Sequence, residues 1–303
     1  MDACEPAGGE VLHVVEVSLS VDDSPVVEEA LAAMELPFAS WRLPGRPLST
    51  IRLFSSLYEE AVERAVIVED LLASWQSFLH GVPPEVQLTT IQREEWAECW
   101  KAFFKTFSVT DRLVVSPSWE EYTPASGEVV VELDPGMCFG TGYHGTTRAC
   151  LEFLDSLADA RQGEAFLEAG CGSGILSLAA RKLGFGAVTG FDHDPDAVRV
   201  ARSNLGAQGV DDVVLTCAEI AEFDPGPGYA VVVANILAVV LLGYAECVAG
   251  FVDRSCPGAR LILSGILTDQ YEEVKVCYEG LGFVECQRRT IDEWTSGMYV
   301  SKG

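Results

Sequence analysis

The sequence predicts an α/β protein in which a doubly wound, Rossmann-like domain follows a small ferredoxin-like α+β domain. Three observations carry the expectation. From Val129 onward, short apolar runs alternate with stretches of helical period, the rhythm of a parallel sheet with crossover helices. Residues Phe166 to Ala180 read as a strand, a glycine-rich turn and a helix start, a context more telling than the glycines themselves. Before these, residues 11–90 follow the order βαββαβ, which closes into a small sandwich.

In chain order, Val11 to Leu19 is a strand, Val26 to Met34 a helix, and Phe38 to Leu43 and Thr50 to Phe54 are strands. Ala61, Val62, Ala65, Val66, Leu72, Trp75 and Leu79 recur at steps of three and four, so a helix is expected from Tyr58 to His80,. Pro83-Pro84 ends it before a strand from Val86 to Thr90,. These elements make a domain over 1–90, for which the fold suggests, by analogy alone, a recognition or spacer module. A helical linker over 91–127 comes next, with an amphipathic helix from Arg93 to Lys105 and a short strand from Arg112 to Val115. The main domain, 128–303, has strands at Ala165 to Glu168, Ala187 to Phe191, Val213 to Thr216, Ala230 to Ala234 and Arg260 to Ser264. After a helix from Tyr271 to Leu281, Phe283 to Arg289 and Met298 to Ser301 form a hairpin at the sheet edge.

Composition narrows the function. The 303 residues are 49% hydrophobic, enough for two cores,. Lys and Arg total 20 against 46 Asp and Glu, a net charge of −26. Such a field repels phosphate backbones and attracts cations, so direct nucleic-acid binding is not expected, whereas a basic protein partner is. The same charge also serves solubility. Ten cysteines lie scattered without a Cys-x-x-Cys pair, so no metal site is expected and free thiols in a reducing cytoplasm are. Met1 to Glu10 is acidic and lacks an apolar run, the opposite of an export signal,. Ala230 to Ala245 is nearly all apolar, but Asn235 interrupts it and Val231-Val232-Val233 follows a turn-forming Asp-Pro-Gly-Pro-Gly. It reads as a buried strand and a helix, with no membrane span.

The chemistry concentrates in a few positions. Gly170, Gly172 and Gly174 have the spacing Gly-x-Gly-x-Gly, tighter than the dinucleotide fingerprint, with Glu168 just before them,. S-adenosylmethionine fits the difference. It has no pyrophosphate, an amino group that Glu168 can approach directly or through water, and a carboxylate suited to loop amides. Asp192 follows at the tip of the next strand, placed to accept from ribose hydroxyls,. The bland alternative makes it the cap of the following helix. Asn235, at the carboxyl end of an apolar strand, is placed to accept from an incoming amine; its alternative is also a helix cap,. Asp134 to Thr147 holds four glycines, two aromatic residues, a histidine and three threonines and reads as a cover over a site,. In that loop Thr146 or Thr147 is expected to cap a helix starting near Arg148, and His144 is either a base or a residue fixing local structure,.

With these motifs in view the chain resembles the bacterial ribosomal protein L11 methyltransferase family. The resemblance runs from Glu94 to the C-terminus. It rests on Glu128-Val-Val-Val-Glu-Leu-Asp-Pro-Gly-Met137 leading into Phe139-Gly-Thr-Gly-Tyr-His144, then Gly170-Cys-Gly-Ser-Gly-Ile-Leu176, Asp192-His-Asp-Pro195 and Ala234-Asn-Ile-Leu237. Gly145 stands where a proline is common in the family, and the N-terminal region matches weakly. The resemblance implies a seven-stranded class I methyltransferase fold, with S-adenosylmethionine contacts at Thr147, Gly170, Asp192 and Asn235. Phe139, Gly140, Glu168, Gly172 and Gly174 complete the expected cofactor set, and Asn235 is the expected catalytic residue. The implied reaction is methylation of lysine side chains and the N-terminal amine of ribosomal protein L11, with the N-terminal domain and connecting helix engaging that protein. The alternatives are a related lysine methyltransferase for another protein, a nucleotide-dependent oxidoreductase and a non-catalytic binding protein on the same fold.

Overall fold

The computed structural model describes residues 11–34, 36, 38–42, 48–75, 79, 82–92, 105–134 and 142–302. The chain divides into two compact units, Met1–Phe103 and Phe104–Gly303.

In the first unit, β1 (Val11–Ser20), α1 (Ser24–Ala33), β2 (Ala39–Arg42), β3 (Leu48–Ser55), α2 (Tyr58–Ser74) and β4 (Glu85–Gln92) follow in sequence. The strands form one antiparallel sheet in the order β2-β3-β1-β4. Alternate residues of β1 and β3, among them Val15, Val17, Ile51 and Leu53, meet Val27 and Leu31 of α1 and Val68 and Leu72 of α2 in one core, as the two-residue period of a strand requires. Helix α2 stops at Ser74, short of the expected His80, where the Ser74 hydroxyl donates to the Leu71 carbonyl. Residues 93–104 of the expected linker helix lie outside the described residues.

The second unit begins with a ribbon that the sequence pattern showed only in part. β5 (Phe107–Ser108) pairs antiparallel with β6 (Leu113–Ser116), which pairs parallel with β7 (Val129–Glu132). The stretch 107–116, read from sequence as part of a connector, packs here into the main core: Val109, Leu113 and Val115 are buried with Val131 and Leu133. Arg112 ties the ribbon to the helix α3 (Gly145–Ala158), donating to Asp155 Oδ1 at 2.6 Å and Asp159 Oδ1 at 2.7 Å.

The remaining elements are β8 (Phe166–Ala169), α4 (Ile175–Lys182), β9 (Val188–Asp192), α5 (Pro195–Ala207), β10 (Val214–Cys217), β11 (Val231–Asn235), α6 (Ala238–Gly243), α7 (Ala245–Gly250), β12 (Arg260–Leu267), α8 (Tyr271–Gly280), β13 (Phe283–Ile291) and β14 (Trp294–Ser301). They build a seven-stranded sheet in the order β10-β9-β8-β11-β12-β14-β13. The first five strands run parallel, and the β13–β14 hairpin closes the edge antiparallel. Alternate residues feed two cores. Phe166, Val188, Val231, Val233 and Ile262 face the layer of α3, α4 and α5. Leu167, Phe191, Val232, Ala234 and Leu261 face α6, α7 and α8. Burial on both faces explains why these strands read as unbroken apolar runs. The apolar stretch 230–245 is β11 and α6, and no described helix is long and apolar enough to cross a membrane.

Parity positions the functional side chains. Glu168 shares the face of Phe166, Asp192 that of Val188, and Asn235 that of Val231 and Val233, so all three point to the α3–α5 side at the carboxyl ends of their strands,.

Membership of the ribbon in this core has a measurable consequence. Leu113→Ala, at a fully buried position, is expected to lower the stability of the second unit by about 2–5 kcal/mol, read as a lower denaturation midpoint; a connector outside the core would lose less than about 0.5 kcal/mol.

Candidate functional site

Between β8 and α4 the chain turns through Gly170, Gly172 and Gly174, all at positive φ. Gly170 (φ 76°) has no room for a side chain, since an added Cβ would lie 2.5 Å from Ile236 Cγ2. Asp192 braces the turn from β9. Its Oδ2 accepts from the Gly172 amide at 2.9 Å and its Oδ1 from the Asp194 amide at 3.0 Å. The helix-cap alternative for Asp192 does not hold: the N-cap of α5 is Asp194, accepting from Asp196 N, with a proline opening the helix. A carboxylate has about four acceptor sites, so Asp192 retains capacity for hydroxyl donors beside the glycine turn.

Asn235 ends β11, half-buried. Its Nδ2 lies 3.4 Å from Oγ1 of Thr147, a buried residue in the first turn of α3 that is 88 positions away in sequence. Its Oδ1 is buried and accepts no hydrogen bond from the described residues. It does not cap the following helix either, because the N-cap of α6 is Leu237, with no side-chain bond. The segment after Asn235 is held tightly: the Ile236 amide donates to the Ser264 carbonyl at 3.1 Å. Gly265 (φ 81°) passes so close that a Cβ there would overlap the Ile236 backbone. The β12–β14 register shifts between Leu263 and Ile266 at this point, a bulge that lets two backbones approach.

A family model described as ribosomal protein L11 methyltransferase (PrmA) matches residues 17–302. The chain belongs to the ribosomal protein L11 methyltransferase family. It is 40% identical over 261 residues to the ribosomal protein L11 methyltransferase of Citrifermentans bemidjiense, covering 84% of this chain and 82% of that one. With the ribosomal protein L11 methyltransferase of Symbiobacterium thermophilum it shares 34% identity over 297 residues, 97% and 94% of the two chains. Among solved structures it is similar to the ribosomal protein L11 methylase from Lactobacillus delbrueckii subsp. bulgaricus, with a TM-score of 0.59 and 26% identity over 66% of this chain and all of that one. The chain is a methyltransferase.

In this methyltransferase Glu168 is turned away from solvent. It is 3% exposed, and its Oε2 accepts from the Ser177 amide at 2.8 Å and the Ser177 hydroxyl at 2.5 Å. Helix α4 has Gly174 at its N-cap and no cap bond of its own, so the carboxyl from β8 takes over that role at the third residue of the helix. Burial pushes Glu168 up from its ordinary value of 4.5 to about 8, with the nearby charge of Asp192 adding to the rise and the Ser177 bonds opposing it,.

His144 is the N-cap of α3, where either threonine was expected to be, and the helix starts at Gly145, before Arg148. Its Nδ1 lies 2.8 Å from Thr146 Oγ1 and its ring packs 4.9 Å from that of Trp294; burial lowers its pKa. These contacts favour the local structural role over that of a base. Phe139 and Gly140 lie outside the described residues. No metal-holding cluster of His, Cys, Asp or Glu occurs among the described residues. Sequence reasoning did not single out Ser177, Ile236 or Gly265. A glycine within the apolar run Leu261 to Leu267 was the available signal for the last,.

The raised value of Glu168 fixes a sign. The folded chain keeps a proton that the unfolded chain releases above its ordinary value, so the stabilisation is full below that value and is lost as pH rises through about 8,. Glu168→Gln removes the titration. Chemical denaturation from about pH 5 to about pH 8 is expected to show the parent protein losing stability relative to Glu168→Gln, with a constant difference contradicting the burial of a protonated carboxyl.

Proposed function

We propose that this chain transfers methyl groups from S-adenosylmethionine to amino groups of ribosomal protein L11, the lysine side chains and the N-terminal amine. The observation that carries the proposal is the buried Oδ1 of Asn235, which has no hydrogen-bond partner among the described residues, at the carboxyl end of β11 within a member of this family. A buried carbonyl without a donor costs about 1–3 kcal/mol, and an amine N–H supplies the donor it lacks.

The residues present suit the cofactor. Gly170, Gly172 and Gly174 leave main chain free of side chains over the turn, where amides can meet a carboxylate,. Asp192 stands beside the turn as the acceptor for ribose hydroxyls,. Thr147 and Asn235 line the α3 side, and Phe139 and Gly140 belong to the same cofactor set. Glu168 joins that set as the buried brace that fixes the glycine turn against α4. When bound, S-adenosylmethionine supplies an activated methyl group to an amine.

The chain's own task is to present a neutral amine and hold it still. An unperturbed lysine amine has a pKa of about 10.4 and is protonated at neutral pH. Desolvation beside buried Thr147 and half-buried Asn235 disfavours the ammonium,, so no dedicated base is required. Asn235 Oδ1 then accepts one N–H of the amine and aims its lone pair, while the Thr147 hydroxyl and the Ile236 clamp keep the amide from rotating,. The first unit, with its βαββαβ order and β2-β3-β1-β4 sheet, serves in this reading as a ferredoxin-like module that recognises the acceptor protein. The domains are proposed as 1–90 and 128–303, joined by residues 91–127, of which β5 and β6 pack into the core of the second unit, acting in the cytoplasm without membrane or direct nucleic-acid partners.

Incubating the protein with S-adenosylmethionine and recombinant ribosomal protein L11 from the same organism tests the proposal. The intact mass of L11 is expected to rise in steps of one methyl group. An unchanged mass, with cofactor binding verified separately, would move the acceptor to another protein.

A further inference from the structure

The contact between Asn235 and Thr147 is too weak to hold itself. At 3.4 Å it is longer than an ordinary N–H···O bond of about 2.7–3.2 Å, so the placement of the two side chains comes from the chain around them. One residue binds a neighbour of each. Ser264 of β12 is the ladder partner of Asn235, and its carbonyl accepts from the amide of Ile236, the residue after Asn235, at 3.1 Å. Its hydroxyl donates to the carbonyl of Thr146, the residue before Thr147, at 3.1 Å. Ser264, Thr146 and Thr147 are fully buried, so bulk water does not compete for these bonds. A serine hydroxyl has one proton. That of Ser264 goes to Thr146, which makes Ser296 of β14 the donor in the 2.7 Å contact between the two serine oxygens. The hydroxyl of Ser264 is thus oriented from β14 and spent on the first turn of α3.

We propose that Ser264 is a positioning residue for methyl transfer: through Thr146 and Ile236 it sets Thr147 and Asn235 at the spacing from which the Asn235 amide presents its oxygen to the acceptor amine. The inference rests on the proposed reaction, in which that oxygen accepts from the amine. Ser264 acts through its neighbours and is assigned no contact with either substrate. Without its hydroxyl, the start of α3 loses this bond to β12, while the end of β11 stays clamped between Gly170 and Gly265. Thr147 then shifts against a fixed strand end, and the Asn235 amide turns with it. A misdirected lone pair on the amine slows transfer more than it weakens binding.

The test is steady-state methylation of purified L11 at saturating S-adenosylmethionine, with the unfolding midpoint measured on the same samples. Ser264→Ala is expected to lower kcat about tenfold, while KM for L11 changes by less than about twofold. In an Asn235→Ala background the same change is expected to cost less than about twofold, because residues that act as a unit are not additive. Ser296→Ala removes the donor to Ser264 and leaves the Thr146 bond in place, so a smaller loss of kcat than in Ser264→Ala is expected. Unchanged kcat in folded Ser264→Ala, or an equal loss with and without Asn235, overturns the positioning role and leaves Ser264 to the fold. If Ser264→Ala does not fold, Ser296→Ala decides, and unchanged kcat there overturns the role. A parent that binds the cofactor but leaves L11 unmodified overturns the proposed reaction, and the positioning of its amine with it.

Discussion

The close approach of the Asn235–Leu237 segment to Gly170 on one side and Gly265 on the other is the constraint on which the site depends. Neither glycine tolerates a Cβ in its place. One belongs to the turn after β8, the other to the bulge of β12, and both crowd Ile236. The end of β11 is thereby fixed relative to the glycine turn without any bond to the side-chain Oδ1 of Asn235 from the described residues. That oxygen stays buried and without a partner among the described residues, and in the proposed reaction it is the acceptor for the incoming amine.

The polar groups around this point divide into those consumed by the fold and those left over. Glu168 spends its Oε2 on Ser177 and so joins β8 to α4. Asp192 holds Gly172 and the start of the next turn, yet keeps acceptor capacity,. Ser264 bonds the Thr146 carbonyl and Ser296, locking the start of α3 against β12 and β14. Thr147 follows in that same turn of α3, which is why it meets Asn235 from the far side of the sequence. Fixed supports thus surround an amide whose Oδ1 is left unbonded among the described residues, the arrangement the proposed reaction requires.

Much of this was legible in the sequence. Asn235 was expected at the carboxyl end of the apolar strand and Asp192 at the tip of the strand after the glycine turn, and β11 and β9 end at those residues,. The alternation of apolar runs foretold the seven-stranded sheet with its edge hairpin. The ribbon of β5 to β7 was less visible, because a two-residue strand carries no period and β7 is separated from β6 by a turn-rich stretch,. His144 as a helix cap was missed because histidine ranks low among caps, and the threonines beside it matched the rule better,. The direction of Glu168 was hidden for another reason. A carboxylate before a glycine turn serves a ligand or a helix end equally well, and only the position of Ser177 decides.

Comparing Asn235→Ala with the parent protein tests the central claim most directly, with turnover, cofactor affinity and the unfolding midpoint measured on the same samples. If the partnerless carbonyl is held for the acceptor amine, turnover falls about a hundredfold while stability is unchanged or rises, because an unsatisfied buried group has been removed. Full turnover in the variant would contradict the account, and so would a marked loss of stability, which would assign Asn235 to the fold.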